Sequence, residues 1–250
     1  MVDKISVVIP TLNEENNIRE CLYHLLNQVK KPYEIVVVDN GSTDKTTEIV
    51  KSLQEKFRRN KINLKLFYCL NGNQKSAREL GVKKSTGSII GSLDADSLAD
   101  KRWIITIHNY FRDKNLVGIG GKSHFRNKGF LFNLFYTVNY YIRILLNLYC
   151  IGGGNSAFRR SAYISVRGYS GLEYLRKKKN ISHAKDDYFL SKSIEQIGKI
   201  KFCEDLNVSL LYRIRNKKKR SSFVLIAVLK RAFFEVLYDY RINAYFKERN

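Results

Sequence analysis

Residues 88–100 read SIIGSLDADSLAD, an apolar run that stops on two aspartates one residue apart. Ile89, Ile90 and Leu93 have the composition of a buried strand, so burying them carries Asp94 and Asp96 to the strand's carboxyl edge. The segments before it have the same character. KISVVIP (4–10), YEIVVVD (33–39) and LKLFYCL (64–70) are further strand-length runs. Between the first two, TLNEENNIRECLYHLLNQV puts Ile18, Leu22, Leu25 and Val29 at helical intervals, behind a Thr11/Glu14 pair with capping-box spacing. Ile49, Val50, Leu53 and Phe57 mark a second helix, and a third over about 75–86 leads into residue 88. Asp100 can cap a fourth, with Trp103, Ile104, Ile107 and Phe111 on one side.

Strands alternating with helices predict an α/β fold, a Rossmann-like, mostly parallel sheet flanked by helices. LVGIGGKSHF (116–125) adds a strand, after which the regularity weakens. With two prolines and no repeat, residues 1–220 read as one continuous domain and 221–250 as a C-terminal amphipathic helical extension.

The net charge of +22 is unevenly spread: residues 1–100 hold 15 Lys or Arg against 13 Asp or Glu, and residues 101–250 hold 30 against 10. That surplus favours an anionic partner: nucleic acid, an anionic membrane surface or a phosphorylated substrate. The basic runs RKKKN (176–180) and RNKKKR (215–220) lack the periodic aromatics of a single-strand stacking platform, which weighs against nucleic acid. The four cysteines form no C-x-x-C pair, arguing against a zinc site and a disulfide scaffold. MVDKISVVIP reads as a strand and not as a secretion leader, so the expected location is cytoplasmic, peripheral at the inner face of a membrane. Two apolar stretches bear on that face. Residues 129–151 are interrupted by Asn133, Asn139, Arg143 and Asn147, and 221–240 by Lys230, Arg231 and Glu235. Both read as amphipathic helices, packed on the domain or lying in a membrane interface, and not as spans.

In an open parallel sheet the ligand crevice lies beyond the strands' carboxyl ends, where the strand order reverses. The residues there are Pro10, Thr11, Asn13 and Glu14 after the first strand, Asp39 after the second, and Asp94 and Asp96 after the fourth. Helix capping accounts for Glu14 and a turn for Asp39, but neither accounts for the D-x-D pair. No G-x-G-x-x-G or G-x-x-x-x-G-K-[ST] follows any strand, which argues against a dinucleotide oxidoreductase and a P-loop NTPase. Carboxylates repel a diphosphate unless Mn²⁺ or Mg²⁺ lies between them, so the pair predicts a metal-bridged nucleotide.

SVVIPTLNEENNI, EIVVVDNGSTDKT, KSARELGVKKSTGSIIGSLDADS and GGGNSAFRRSAYISVRGY resemble, in order and spacing, the successive motifs of inverting family 2 glycosyltransferases with the GT-A fold. The resemblance covers roughly residues 4–215. It implies that residues 1–100 form a nucleotide-binding half and 101–220 an acceptor-binding half. It also implies that Pro10, Thr11, Asn13 and Glu14 line the base and ribose pocket and that Asp39 hydrogen-bonds the base. Asp94 and Asp96 would reach the ribose and the metal, with Asp96 the more direct ligand, and Arg78 would help hold the diphosphate. The chain departs from the family at Glu79, where Asn is usual, and at Asn73 or Gln74, where a glycine is usual.

Inverting transfer needs a carboxylate on the acceptor side to take the acceptor's proton. KDDYFLSKSI (185–194) aligns with the family's E-D-x-D-L-like block, which makes Asp187 the expected base and Asp186 its rival. Read without the resemblance, KDD is a helix cap. Gly153, Gly154 and Asn155 fall in a block that lies beside sugar and acceptor in the family. Arg213 and Arg215 are candidates for donor phosphates or a phosphorylated acceptor, with surface solvation the alternative. The expected function is metal-dependent inverting transfer from a nucleoside diphosphate sugar, UDP- or GDP-linked, to an acceptor glycan hydroxyl, polyprenyl phosphate or glycolipid. The rivals are a nucleic-acid-binding protein and a nucleotidyltransferase, which would release pyrophosphate.

Overall fold

The computed structural model describes residues 3–69, 73–145, 151, 153–171 and 186–210. These form one eight-stranded sheet in the order β3-β2-β1-β4-β7-β6-β8-β5. Its centre is β1 (Ile5–Thr11), paired in parallel with β2 (Glu34–Asp39) on one side and β4 (Ile89–Leu93) on the other. Every residue of these three strands is buried, which explains why they read as unbroken apolar runs: helices cover both faces. β3 (Asn63–Tyr68) pairs with β2 and is the partly exposed edge. The chain steps outward from β1 to β3 and then returns to β1's other side, so the strand order reverses between β1 and β4.

Side chains alternate between two cores. Val7 and Ile9 face α1 (Ile18–Leu26), α2 (Thr46–Arg59) and α4 (Trp103–Tyr110). Val8 and Ile90 face α3 (Gln74–Lys84), α6 (Arg160–Ser165) and α7 (Asp186–Glu195). Beyond β4 the sheet changes character. β7 (Asn155–Arg159) is antiparallel to β4 and to β6 (Leu116–Phe125), β6 is parallel to β8 (Lys199–Leu210), and β5 (Ser97–Ala99) pairs antiparallel with β8. The β6–β8 register slips between Gly121 and Lys122, and there Asn155 bridges the strands: its Nδ2 donates to Lys122 O and Leu206 O, both at 2.8 Å.

α5 (Phe130–Leu145) follows β6. Among its described side chains the exposed ones are all apolar or aromatic: Phe130, Leu131, Leu134, Val138, Tyr141, Ile142 and Leu145, with Leu131 at 78% and Leu145 at 85%. No helix among the described residues is long and apolar enough to cross a membrane. The extension at 221–250 and the basic runs at 176–180 and 215–220 lie outside the described residues.

Two local expectations are corrected. Thr11 and Glu14 form no capping box, because Thr11 is still in register with Asp39 and α1 begins only at Ile18. The Glu14 carbonyl instead accepts Asn17 N and Ile18 N, each at 2.9 Å. Val29 is not on the buried face: α1 ends at Leu26, and Val29 is exposed in the following turn.

Candidate active site

A crevice of about 210 Å³ opens at the strand-order reversal, lined by Pro10, Thr11, Leu12, Glu14, Asn40, Gln74, Asp94, Ala95 and Asp96. The parallel register of β1 and β2 brings Thr11 level with Asp39, so the loops after both strands emerge together and brace each other. Asn13, at φ 54°, accepts Thr43 N at 2.8 Å and donates its own N to Ser42 Oγ at 2.9 Å. Glu14 N reaches Thr46 Oγ1 at 2.8 Å, and Glu14 Oε2 accepts Asn17 Nδ2 at 2.8 Å. Asp44 accepts Glu15 N at 3.0 Å and caps Thr46 N at 3.0 Å; burial, the largest single effect, pushes its carboxyl up, but the bonds from the Thr46 hydroxyl, Glu15 N and Thr46 N together outweigh it and hold the carboxyl below the ordinary range.

Asp39 is buried and spends most of its acceptor capacity on its own loop. Its Oδ2 accepts Gly41 N at 3.1 Å and Ser42 N at 3.0 Å, and its Oδ1 accepts Ser42 Oγ at 2.5 Å. Two other polar atoms of the crevice lining, Thr11 Oγ1 and Asn40 Oδ1, are buried without a hydrogen-bond partner among the described residues. Unmet buried acceptors are costly, so this pair is suited to a polar ligand. The sequence reading passed over Asn40, whose only signal was its place directly after Asp39.

Asp94 and Asp96 flank the turn that leaves β4, closed by Ser97 N donating to Asp94 O at 3.0 Å. Asp94 Oδ1 accepts from Arg78 Nη2 in a short ion pair and from Gln74 Nε2 at 3.2 Å. Arg78 is buried on α3; burial alone would disfavour its charge, but Asp94, Tyr169 and Asp187 keep it firmly protonated. Negative charge accumulates on the other side of the turn. The buried Cys21 thiol is pushed far up, first by burial and then by Asp96, Asp94, Glu14 and Glu20. Gly154, ahead of β7, passes so close that an added Cβ would overlap Asp94 Oδ2, so any larger residue there must displace the Asp94 side chain.

Asp187, far along the chain on α7, arrives at the same arginine: Arg78 Nη1 lies 4.0 Å from Asp187 Oδ1. That oxygen also accepts Tyr169 Oη at 2.6 Å. No described donor bonds Asp187 Oδ2, which faces Gly153, where an added Cβ would lie 3.6 Å away. The fold therefore brings Asp94, Arg78, Gly153, Gly154 and Asp187 together. Asn155 is turned inward: besides bridging β6 and β8 it accepts Trp103 Nε1 at 2.8 Å, so its amide is committed to the sheet. Asp186 is the first residue of α7 and only its backbone is described, while Arg213 and Arg215 lie outside the described residues. The sequence reading missed Tyr169, for which the only sign was a glycine in a short polar turn before an aromatic.

Among the described residues no cluster of three or more His, Cys, Asp or Glu side chains forms a self-sufficient metal site. The D-x-D turn supplies two carboxylates in a region of concentrated negative charge, a set that suits Mg²⁺ or Mn²⁺ when phosphate oxygens complete the shell.

The sequence model of the family described as Glycosyl transferase family 2 matches residues 6–167. A Methanococcus voltae protein named dolichyl N-acetyl-alpha-D-glucosaminyl phosphate 3-beta-D-2,3-diacetamido-2,3-dideoxy-beta-D-glucuronosyltransferase is 36% identical over 124 residues, 47% of this chain and 38% of that one. Glycosyltransferase AglE of Haloferax volcanii is 35% identical over 105 residues, 40% of this chain and 33% of its own length. The matched stretches thus span well under half of these relatives. Among solved structures, the mannosyltransferase PcManGT from Pyrobaculum calidifontis, in complex with GDP-Man and Mn²⁺, superposes with TM-score 0.66 at 22% identity, covering 86% of this chain and 59% of that one. S. aureus TarS 1–349 in complex with UDP-GlcNAc gives TM-score 0.57 at 21% identity, over 94% and 66%.

Proposed function

The chain belongs to glycosyl transferase family 2 and has its GT-A fold, and from that premise we propose that it moves a sugar, with inversion, from a nucleoside diphosphate sugar to an acceptor hydroxyl. One observation carries the reading: Asp94, at the nucleotide crevice, and Asp187, on a remote helix, meet at a single buried arginine with a glycine beside each.

The donor's base and ribose enter the crevice, where Thr11 Oγ1 and Asn40 Oδ1 gain the partners they lack. Asp39 uses three of its roughly four acceptor sites on the loop, leaving one for a base N–H. Pro10 and Glu14 shape the walls, and Asn13 braces the loop beyond them. Asp96, with Asp94, is the side chain that would hold Mn²⁺ or Mg²⁺, and such a cation offsets the charge of the departing diphosphate. Arg78 adds a fixed positive charge on the same side. Asp187 Oδ2 takes the acceptor hydroxyl's proton as its oxygen bonds the anomeric carbon; the bond from that carbon to the phosphate oxygen breaks on the opposite face and the nucleoside diphosphate leaves. A phosphate acceptor is already largely deprotonated at neutral pH and needs no base, so an oriented carboxylate favours a hydroxyl.

The apolar face of α5 supports a lipid-linked acceptor met at an anionic membrane surface. Lys128 lies over the half-buried Phe132 ring and Lys122 over the exposed ring of Tyr141, a pairing of cations with aromatic rings that suits a headgroup layer. Relatives that share the matched region include the dolichyl-linked transferase above. Flotation with phosphatidylglycerol vesicles tests this: the native chain should float, and Leu131→Ser/Leu134→Ser/Val138→Ser should not. Equal flotation of both would remove α5 from the membrane reading.

The central test is a panel of UDP- and GDP-linked sugars with Mn²⁺, read by thermal stabilisation and by nucleoside diphosphate release. Asp96→Ala should lose the metal-dependent stabilisation. Release of pyrophosphate instead of a nucleoside diphosphate would point to nucleotidyl transfer.

A further inference from the structure

We infer that Tyr169 is a positioning residue for the base, its hydroxyl pinning Asp187 Oδ1 so that Oδ2 is the oxygen turned to the acceptor. The inference rests on the reading of Asp187 as base. A carboxylate rotates freely about its last torsion, so its direction must be set from outside. The 2.6 Å bond from Tyr169 Oη and the guanidinium of Arg78 both fall on Oδ1, leaving Oδ2 on the side of Gly153.

The local chain is shaped to deliver this phenol. α6 ends at Ser165, and after Val166 come two successive left-handed residues, Arg167 at φ 58° and Gly168 at φ 53°, which turn the chain into the helical residues 168–171. A side chain at 168 would overlap the Tyr163 ring, so glycine meets both the backbone and the space requirement. The turn is then clamped on either side of Tyr169. Its N donates to Tyr163 Oη at 3.3 Å, and Ser170 Oγ donates to Glu79 Oε1 at 2.6 Å, on the helix that carries Arg78. Tyr169 is buried with its ring edge-on to Tyr163, a setting where phenylalanine would pack as well and spare the cost of burying a hydroxyl. The hydroxyl is retained where it meets Asp187. Burial, and then the neighbouring Asp187, push the Tyr169 phenol well above its ordinary value, so it stays a hydrogen-bond donor at neutral pH.

The experiment compares Tyr169→Phe, Asp187→Asn and the double variant, with nucleoside diphosphate release from the UDP- and GDP-sugar panel in Mn²⁺ as readout. In Tyr169→Phe, kcat should fall about tenfold or more, the scale of one hydrogen bond to a charged group, with donor KM and donor-induced thermal stabilisation unchanged. Added to Asp187→Asn, the tyrosine change should alter the residual rate less than about twofold, because both act through one carboxylate. A native kcat in Tyr169→Phe beside an impaired Asp187→Asn would overturn the tyrosine's role alone. A parallel loss of donor binding, or an undiminished further fall in the double variant, would make the role merely structural. Native turnover by Asp187→Asn would overturn the base assignment itself.

Discussion

Asp94 and Asp187 face one another across Arg78, yet they belong to regions built on different plans. On the proposed donor side, β1, β2 and β4 are buried on both faces and the loops beyond them are laced by side chains: Asn13 to Thr43, Asp39 to Gly41 and Ser42, Asp44 to Glu15. On the side of α5 and α7, α5 presents seven exposed apolar or aromatic residues among those described, and Asp187 keeps one oxygen without a described donor. Apart from Thr11 Oγ1 and Asn40 Oδ1, the first region is braced by its own side chains. The second leaves apolar surface and acceptor capacity open.

Five substitutions would break or sharpen that contrast. Asp187→Asn should lower turnover about 1,000-fold while leaving donor-induced thermal stabilisation in place; if stabilisation disappears too, the two sides are not separable. Leu22→Ala, in the donor-side core, should cost about 2–5 kcal/mol in chemical denaturation, whereas Leu131→Ala on α5 should stay within about 0.5 kcal/mol. Similar costs for both would mean that α5 is covered in solution. Gly154→Ala should cost about 1–3 kcal/mol and weaken donor affinity at least about tenfold, since the added methyl displaces Asp94; titration with the donor that stabilises the native chain measures this.

The last and smallest effect is on acid stability. Glu34, buried at the start of β2, would be raised by burial, but bonds from Lys65, Ser6 and Thr86 outweigh this and hold it below its ordinary value. A depressed folded-state value contributes stability that is complete above the ordinary glutamate value of 4.5 and is lost as pH falls through the folded-state value. Glu34→Gln should therefore flatten the acid side of the stability–pH curve, and an unchanged curve would show that these bonds contribute nothing.

Most of the donor half was legible because strands covered on both faces leave continuous apolar runs, and because Val50, Leu53 and Phe57 recur at helical spacing. Failures arose where the partner of a side chain is chosen by a distant segment. Thr11 has the residue type and spacing of a cap, yet pairing with Asp39 keeps it in the strand. Asn155 reads as a site residue, but the register slip between β6 and β8 leaves two carbonyls that its amide takes. Tyr169 left no periodic trace, because its placement depends on a left-handed turn and on a helix beginning seventeen positions later.

Arg78 has a consequence for how such a molecule can change. One guanidinium answers to both acids, so an exchange near Asp94 alters the ground on which exchanges near Asp187 are judged. Epistasis is thus built into the centre of the protein. Libraries seeking new donors or acceptors should diversify the two sides jointly, since winners selected on either side alone will not combine.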